Sequence, residues 1–250
     1  MEGSVHLEKN NNFGRICFSH PKGNSLPTAL LKKLIDSFQA ANEDPEIRVI
    51  ILESEGNAFC AGASLSELKK VKNIEQGTDF FMGFAHLLNC LRKMSKFVLA
   101  RVHGKVVGGG VGLVSACDYA FATAEAQIKL SELSIGLGPY IIEPAVSRKI
   151  GTTAFAQLSL NSVNWKSAQW CLEKGLYAEV VSDNIKLEVA INQKAKKLAS
   201  YDPEACRELR KLHWKNTQDW ETVLPKNAGI TAQLAPVSYT HLTLPTKRIV

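Results

Sequence analysis

The chain has 250 residues, 45% of them hydrophobic and 22% charged, which suits one domain of ordinary size with a full apolar core. Its formal charge of +6 is too mild to mark a nucleic-acid binder by itself, though it suits a substrate bearing several phosphates. Six scattered cysteines without CxxC spacing and six histidines without HxxxH or HExxH spacing argue against a metal site and for reduced thiols in a cytoplasmic compartment.

Val5 to Lys9 and Arg15 to Ser19 read as strands joined by the Asn10 to Gly14 turn, so a hairpin is expected first. Pro27 stands at a helix start, and Leu30, Leu31, Leu34, Ile35 and Phe38 recur with helical period to about Asn42. Arg48 to Glu53 has an all-apolar centre, the mark of a strand covered on both faces. Glu55 to Ser64 reads as a loop whose second half holds only small residues, as close approach of a backbone or ligand requires. A short helix at Ser66 to Leu68 and an amphipathic helix over Phe80 to Met94 follow. No apolar run approaches the ~20 residues of a membrane span, and Met1 to Gly14 lacks the apolar stretch of a secretory signal.

The central stretch runs from Arg101 to Pro139. An apolar strand, Phe97 to Val102, leads into His103-Gly104, the triplet Gly108-Gly109-Gly110 and a small-residue helix over Val111 to Ala116. Strands at Tyr119 to Thr123 and Gln127 to Leu130 precede the lone carboxylate of Ser131-Glu132-Leu133. Alternating strands and helices with short links predict an α/β layer fold with parallel strands. Helices are expected at Ile141 to Ile150, ending on Gly151, and at Thr152 to Ser159 and Ser167 to Glu173, with a last strand at Tyr177 to Val181. Residues 1–185 thus form a mixed α/β core and 186–235 a helical region, with helices from Asp183 and from Asp202-Pro203. Pro236 to Val250 has no helical period and a Thr-rich, strand-like character, and is expected to be non-native or disordered.

Two glycine-containing segments carry the chemistry: Phe59-Cys60-Ala61-Gly62-Ala63 and Gly108-Gly109-Gly110. Neither has the GxGxxG spacing of a dinucleotide fold, and no Gly-Lys-Ser/Thr of a P-loop is present. What remains is a pair of backbone N–H donors from two loops, the arrangement of an oxyanion hole, with Glu132 as a carboxylate able to take and return a proton.

The ordered set Phe59-Cys60-Ala61-Gly62-Ala63-Ser64-Leu65, Val102-His103-Gly104, Gly108-Gly109-Gly110, Ala116-Cys117-Asp118, Leu130-Ser131-Glu132-Leu133 and Gly136-Leu137-Gly138-Pro139 resembles the enoyl-CoA hydratase/isomerase (crotonase) family over about residues 5–200. The resemblance implies an α/β spiral of ββα repeats with a helical C-terminal region. It also implies an acyl-CoA substrate, no cofactor or metal beyond the substrate's coenzyme A, and homotrimers or dimers of trimers. It assigns the Ala63 and Gly109 N–H groups to the thioester oxygen and Glu132 to proton transfer. Ala61, Gly62, Ala63, Ser64, Leu65 and Gly109 would pass along the CoA, with Lys22 toward its phosphate and Pro139 and Tyr140 beside the substrate.

The sequence departs from the hydratase pattern where a first glutamate is usual: that position is Gly112. Ser64 stands for the family's Asp, and Pro139-Tyr140-Ile141-Ile142-Glu143-Pro144 replaces a glycine-rich loop. The first reading is a hydratase adding water to an α,β-unsaturated acyl-CoA, with 3-methylglutaconyl-CoA of leucine breakdown as one substrate that the pattern fits. The alternatives are a Δ3,Δ2-enoyl-CoA isomerase using Glu132 alone and a non-catalytic scaffold binding CoA or RNA. Phe80, Phe81, Phe84, Tyr140, Ile141 and Ile142 are candidate pocket residues, and Glu143 a candidate substitute acid.

Overall fold

The structure is a computed structural model and describes the backbone of residues 3–242 and the side chains of residues 3–235. β1 (Ser4–Asn10) and β2 (Phe13–Ser19) form the expected antiparallel hairpin, in register from Ser4 opposite Ser19 to Asn10 opposite Phe13. A short β3 (Ser25–Leu26) leads into helix α1 (Thr28–Glu43), which buries Leu30, Leu31, Leu34, Phe38 and Ala41 along one stripe. β4 (Val49–Ser54) is buried on both sides, as its apolar run requires.

The segment read as a loop folds differently. It forms β5 (Ala58–Cys60) and β6 (Gly62–Ala63), and Ser64 then caps the short α2 (Leu65–Leu68) by accepting from the Glu67 amide. The run was too short to show a period, and its strand partners lie far away in sequence. Helix α3 (Ile74–Lys93) starts six residues before the expected Phe80, because Asn73 accepts from the Gln76 amide and fixes the first turn.

β7 (Phe97–Val102), β8 (Lys105–Val107), α4 (Gly109–Ser115), β9 (Tyr119–Thr123) and β10 (Gln127–Lys129) make up the central stretch. Glu132–Ile135 is a 3₁₀ turn. The two helices expected on either side of Gly151 are one element, α5 (Glu143–Leu160), which leaves helical geometry at that glycine. β11 (Lys166–Ser167), α6 (Ala168–Glu173) and β12 (Glu179–Val181) follow. The C-terminal region is α7 (Asn184–Ala199), α8 (Pro203–His213) and α9 (Trp220–Leu242). Residues 236–242, read as strand-like and expected to be non-native or disordered, continue α9 as backbone. The rest of the tail, 243–250, lies outside the described residues.

The main sheet has the order β1-β2-β4-β7-β9-β12, and every pairing after the hairpin is parallel. Its strands alternate between two cores, as the two-residue period dictates. Ile50, Leu52, Val98, Ala100 and Ala122 pack toward α1 and α3 residues such as Leu34, Phe38, Phe84 and Leu88. Val49, Ile51, Leu99 and Phe121 pack with Leu187, Ile191 and Ala195 of α7. A second sheet, β11-β10-β8-β5, and the pair β3-β6 stand beside it. Among the described residues no helix is long and apolar enough to cross a membrane.

One buried ion pair fastens the C-terminal helices to this core. The Asp118 carboxylate accepts from the Val98 amide (2.8 Å), Arg210 Nε (2.9 Å) and Trp214 Nε1 (2.7 Å). The Arg210 guanidinium also donates to the carbonyls of Leu91, Arg92 and Met94 at the end of α3. Arg210 and Asp118 side chains are only 2% and 7% exposed, so the pair is desolvated but fully hydrogen-bonded. Asp118→Asn keeps the shape and strands the arginine. It is expected to cost about 3–5 kcal/mol in urea unfolding, whereas Lys32→Ala, which breaks the exposed pair with Asp36, changes stability by about 0.5 kcal/mol or less.

Candidate active site

The site is built by glycines that let four segments meet. Gly62 has φ 78°, and a Cβ there would lie 2.6 Å from the Val107 carbonyl oxygen and 3.1 Å from the Gly109 nitrogen. That close approach brings the Ala61–Ala63 loop against the start of α4. The loop is pinned from the other side by the Ala61 amide donating to Gly23 O at 3.0 Å and by the β3–β6 pairing. Gly109 opens α4, so its amide has no acceptor within the helix, and Phe84 Cε1 fills the place 2.3 Å from where its Cβ would be.

Gly108 makes room for the carboxylate. Its φ is 52°, and a Cβ would sit 2.8 Å from Glu132 Oε1. The Gly108 amide donates to Lys129 O at 2.9 Å, which ties the turn to the strand that delivers Glu132. Glu132 Oε2 is enclosed and has no hydrogen-bond partner among the described residues. With no cation beside it, burial pushes its pKa up from 4.5 to about 7, against a weaker lowering by its own backbone amide. A carboxyl poised there can act as acid or base near neutrality.

Ala61, Ala63, Leu65, Gly109, Glu132 and Pro139 line one cavity of about 260 Å³. Phe81, Phe84, Ile141 and Ile142 join them, whereas Phe80 packs in the core behind. Gly62 supports the lining from behind. Lys22 and Ser64 lie instead in a neighbouring cleft with His20, Lys33, Ser66 and Lys70. Ser64 uses its hydroxyl to cap α2. Tyr140 is 39% exposed and lies outside the lining; a Cβ on Gly138 would meet its ring at 2.4 Å. Glu143 sits in the first turn of α5, also outside the lining.

Sequence reading missed Leu68, Val107, Ile135, Leu137 and Thr231 in the wall. Thr231 comes from α9, which crosses α3 closely enough that a Cβ on Gly77 would meet Ala232 Cβ at 3.1 Å. The Ala228, Ala232 and Ala235 stripe was the available signal. Asn227 Nδ2 also donates to Tyr140 O at 2.8 Å and holds the 137–142 loop to the helix. Among the described residues no group of His, Cys, Asp and Glu could hold a metal.

A parallel main sheet, a flanking small sheet and a C-terminal helical region are the architecture of the crotonase-fold enzymes. Residues 8–235 match the family model of enoyl-CoA hydratase/isomerase, and the chain belongs to that family of enzymes. It is 29% identical over 82% of its length to the short-chain-enoyl-CoA hydratase of Clostridium acetobutylicum, of which it covers 78%. It is 25% identical over 74% of its length to the mitochondrial Δ(3,5)-Δ(2,4)-dienoyl-CoA isomerase of Mus musculus, of which it covers 60%. The crystal structure of an enoyl-CoA hydratase from Mycobacterium avium superposes with a TM-score of 0.85 at 25% identity, covering 98% of this chain and 99% of that one.

The raised Glu132 pKa is also a stability statement. The folded chain holds this proton more tightly than the unfolded chain. The contribution is therefore full below about pH 4.5 and is lost as pH rises through about 7. Glu132→Gln cannot ionise, so it is expected to match wild type near pH 4 and exceed it by about 3 kcal/mol at pH 8. Paired denaturant titrations at the two pH values check this.

Proposed function

We propose that the chain shifts a carbon–carbon double bond in the uncharged acyl group of an enoyl-CoA thioester between the β,γ and α,β positions, with Glu132 as the single acid–base group. One observation carries the reading. Among the described residues Glu132 is the one carboxylate in the cavity wall, and the place a side chain at position 112 would need is filled by Ile142. A second carboxylate at position 112 would collide with Ile142.

The chemistry follows from that arrangement. The thioester oxygen is held by the amides of Ala63 and Gly109. Glu132 takes a proton from Cα of a 3-enoyl-CoA, and charge moves onto the oxygen as a dienolate. Losing one such donor typically costs about 3 kcal/mol in transition-state stabilisation. The same carboxyl then returns its proton to Cγ, leaving a conjugated 2-enoyl-CoA, and no water is consumed. The CoA would run past the Ala61–Leu65 loop and carry its phosphates toward Lys22, Lys33 and Lys70 in the adjoining cleft.

The wall holds no Lys, Arg or His among the described residues. A distal carboxylate would be buried without a partner, at a cost of several kcal/mol, so the lining speaks against 3-methylglutaconyl-CoA and for an apolar acyl group. Water addition is the second reading, favoured by the hydratase name of the Clostridium relative. A scaffold without turnover has less support, because Glu132 gives the cavity an enclosed acid–base group.

The test is to offer purified protein 3-hexenoyl-CoA and crotonyl-CoA and follow the conjugated enoyl-thioester absorbance. It is expected to grow with the first and to fall little with the second. Glu132→Gln should lower the first rate by about 10²–10⁴, and kcat/KM should rise with pH through about 7 as the carboxylate forms. Faster loss with crotonyl-CoA than gain with 3-hexenoyl-CoA would put hydration first.

A further inference from the structure

Two glycines frame the first turns of α4: Gly108 caps it with a non-helical φ of 52°, and Gly112 lies inside it. The space over Gly108 holds the Glu132 carboxylate. The space over Gly112 holds Ile142, whose Cγ2 and Cβ lie 2.4 and 2.6 Å from where a Cβ on Gly112 would be. Gly112 sits inside a regular helix, with its carbonyl accepting from the Ala116 amide at 2.9 Å. The obstacle to a side chain there is therefore Ile142 and not the backbone.

Ile142 is held firmly in place. It is 3% exposed and immediately precedes α5, where the Val146 amide donates to its carbonyl at 3.0 Å. The preceding residue but one, Tyr140, is tied to α9 through Asn227. The branched side chain lines the same cavity as the Glu132 carboxylate. A nucleophilic water would need a polar partner as well as room. Ile142 gives neither.

We propose that Ile142 is a specificity-determining residue: by filling the space over Gly112 it keeps water away from Glu132 and so selects proton transfer over water addition. The selection rests on the single-base reading above, whereas the exclusion of water does not.

Two readouts separate them. The first is the ratio of crotonyl-CoA hydration to 3-hexenoyl-CoA isomerisation in wild type, Ile142→Ala, Ile142→Cys and Ile142→Val. The second is the Glu132 titration midpoint in the substrate-free protein, read from the pH dependence of the carboxyl infrared band, with Glu132→Gln as the blank. Ile142→Ala is expected to raise the ratio about tenfold or more and to move the midpoint down from about 7 toward the ordinary carboxyl value. Ile142→Val keeps the Cβ and Cγ2 that fill the space over Gly112 and should move both little. Ile142→Cys, which loses the branch, should move both in the same direction as alanine by less, and it carries the comparison if the alanine variant does not fold.

An unchanged midpoint in a folded alanine or cysteine variant overturns the inference. So does a lowered midpoint with an unchanged ratio. If neither substrate is turned over by any variant while the midpoint falls, water exclusion by Ile142 stands and the isomerase reading fails.

Discussion

The site depends on side chains that are absent. At Gly108 a left-handed backbone and a carboxylate compete for the volume where a Cβ would be, 2.8 Å from Glu132 Oε1. An L-residue there would be strained twice, by φ and by contact. The same economy repeats along the start of α4, where Gly109 yields to Phe84 and Gly110 to Cys60, whose Sγ lies 2.9 Å from the Cβ position. Each missing methyl brings an apolar group or a polar atom closer to the helix start. Together they enclose Glu132 enough to raise its pKa and leave Gly109's amide at the cavity wall.

The enclosure is completed from far along the chain. Arg210 and Trp214 bind Asp118 at the start of β9, and Arg210 also ties down the carbonyls that end α3. With α8 anchored there, Trp220, Leu224, Ala228 and Ala232 join the same core as Phe84 and Leu88. Thr231 then reaches the cavity and Asn227 the 137–142 loop. The helical region is therefore part of the wall, and a buried charge pair about as costly to desolvate as it is attractive serves chiefly to fix where that wall stands.

Much of this was legible. The hairpin, the stripe on α1, the all-apolar β4 and the capping Asp183 of α7 follow local period and capping rules, and the structure keeps them. Ala63, Gly109 and Glu132 were readable as an ordered motif set and fall on one cavity. Of the small sheet only β10 was legible, as the strand at Gln127 to Leu130; β5, β8 and β11 are only two or three residues long and have partners distant in sequence. Thr231 was not legible either, because helical period says which face is buried but not what it is buried against. Gly112 was visible as a missing side chain. That Ile142 occupies its place is a tertiary fact, thirty residues away, which no local pattern encodes.

Leaving Glu132 unpartnered costs the fold stability whenever the group is ionised. A neighbouring lysine or arginine would remove that cost, but it would also lower the pKa and weaken the carboxyl as a proton acceptor. A neighbouring water would do some of both and would add a nucleophile. Among its described wall residues the structure has no lysine or arginine, and Ile142 fills the space over Gly112. A proton that must leave one carbon and arrive at another two bonds away is best carried by a carboxyl with nothing else to bond to. The apolar wall is therefore a condition of the chemistry proposed for Glu132, and the stability lost to it is the expected accompaniment of a working acid–base group.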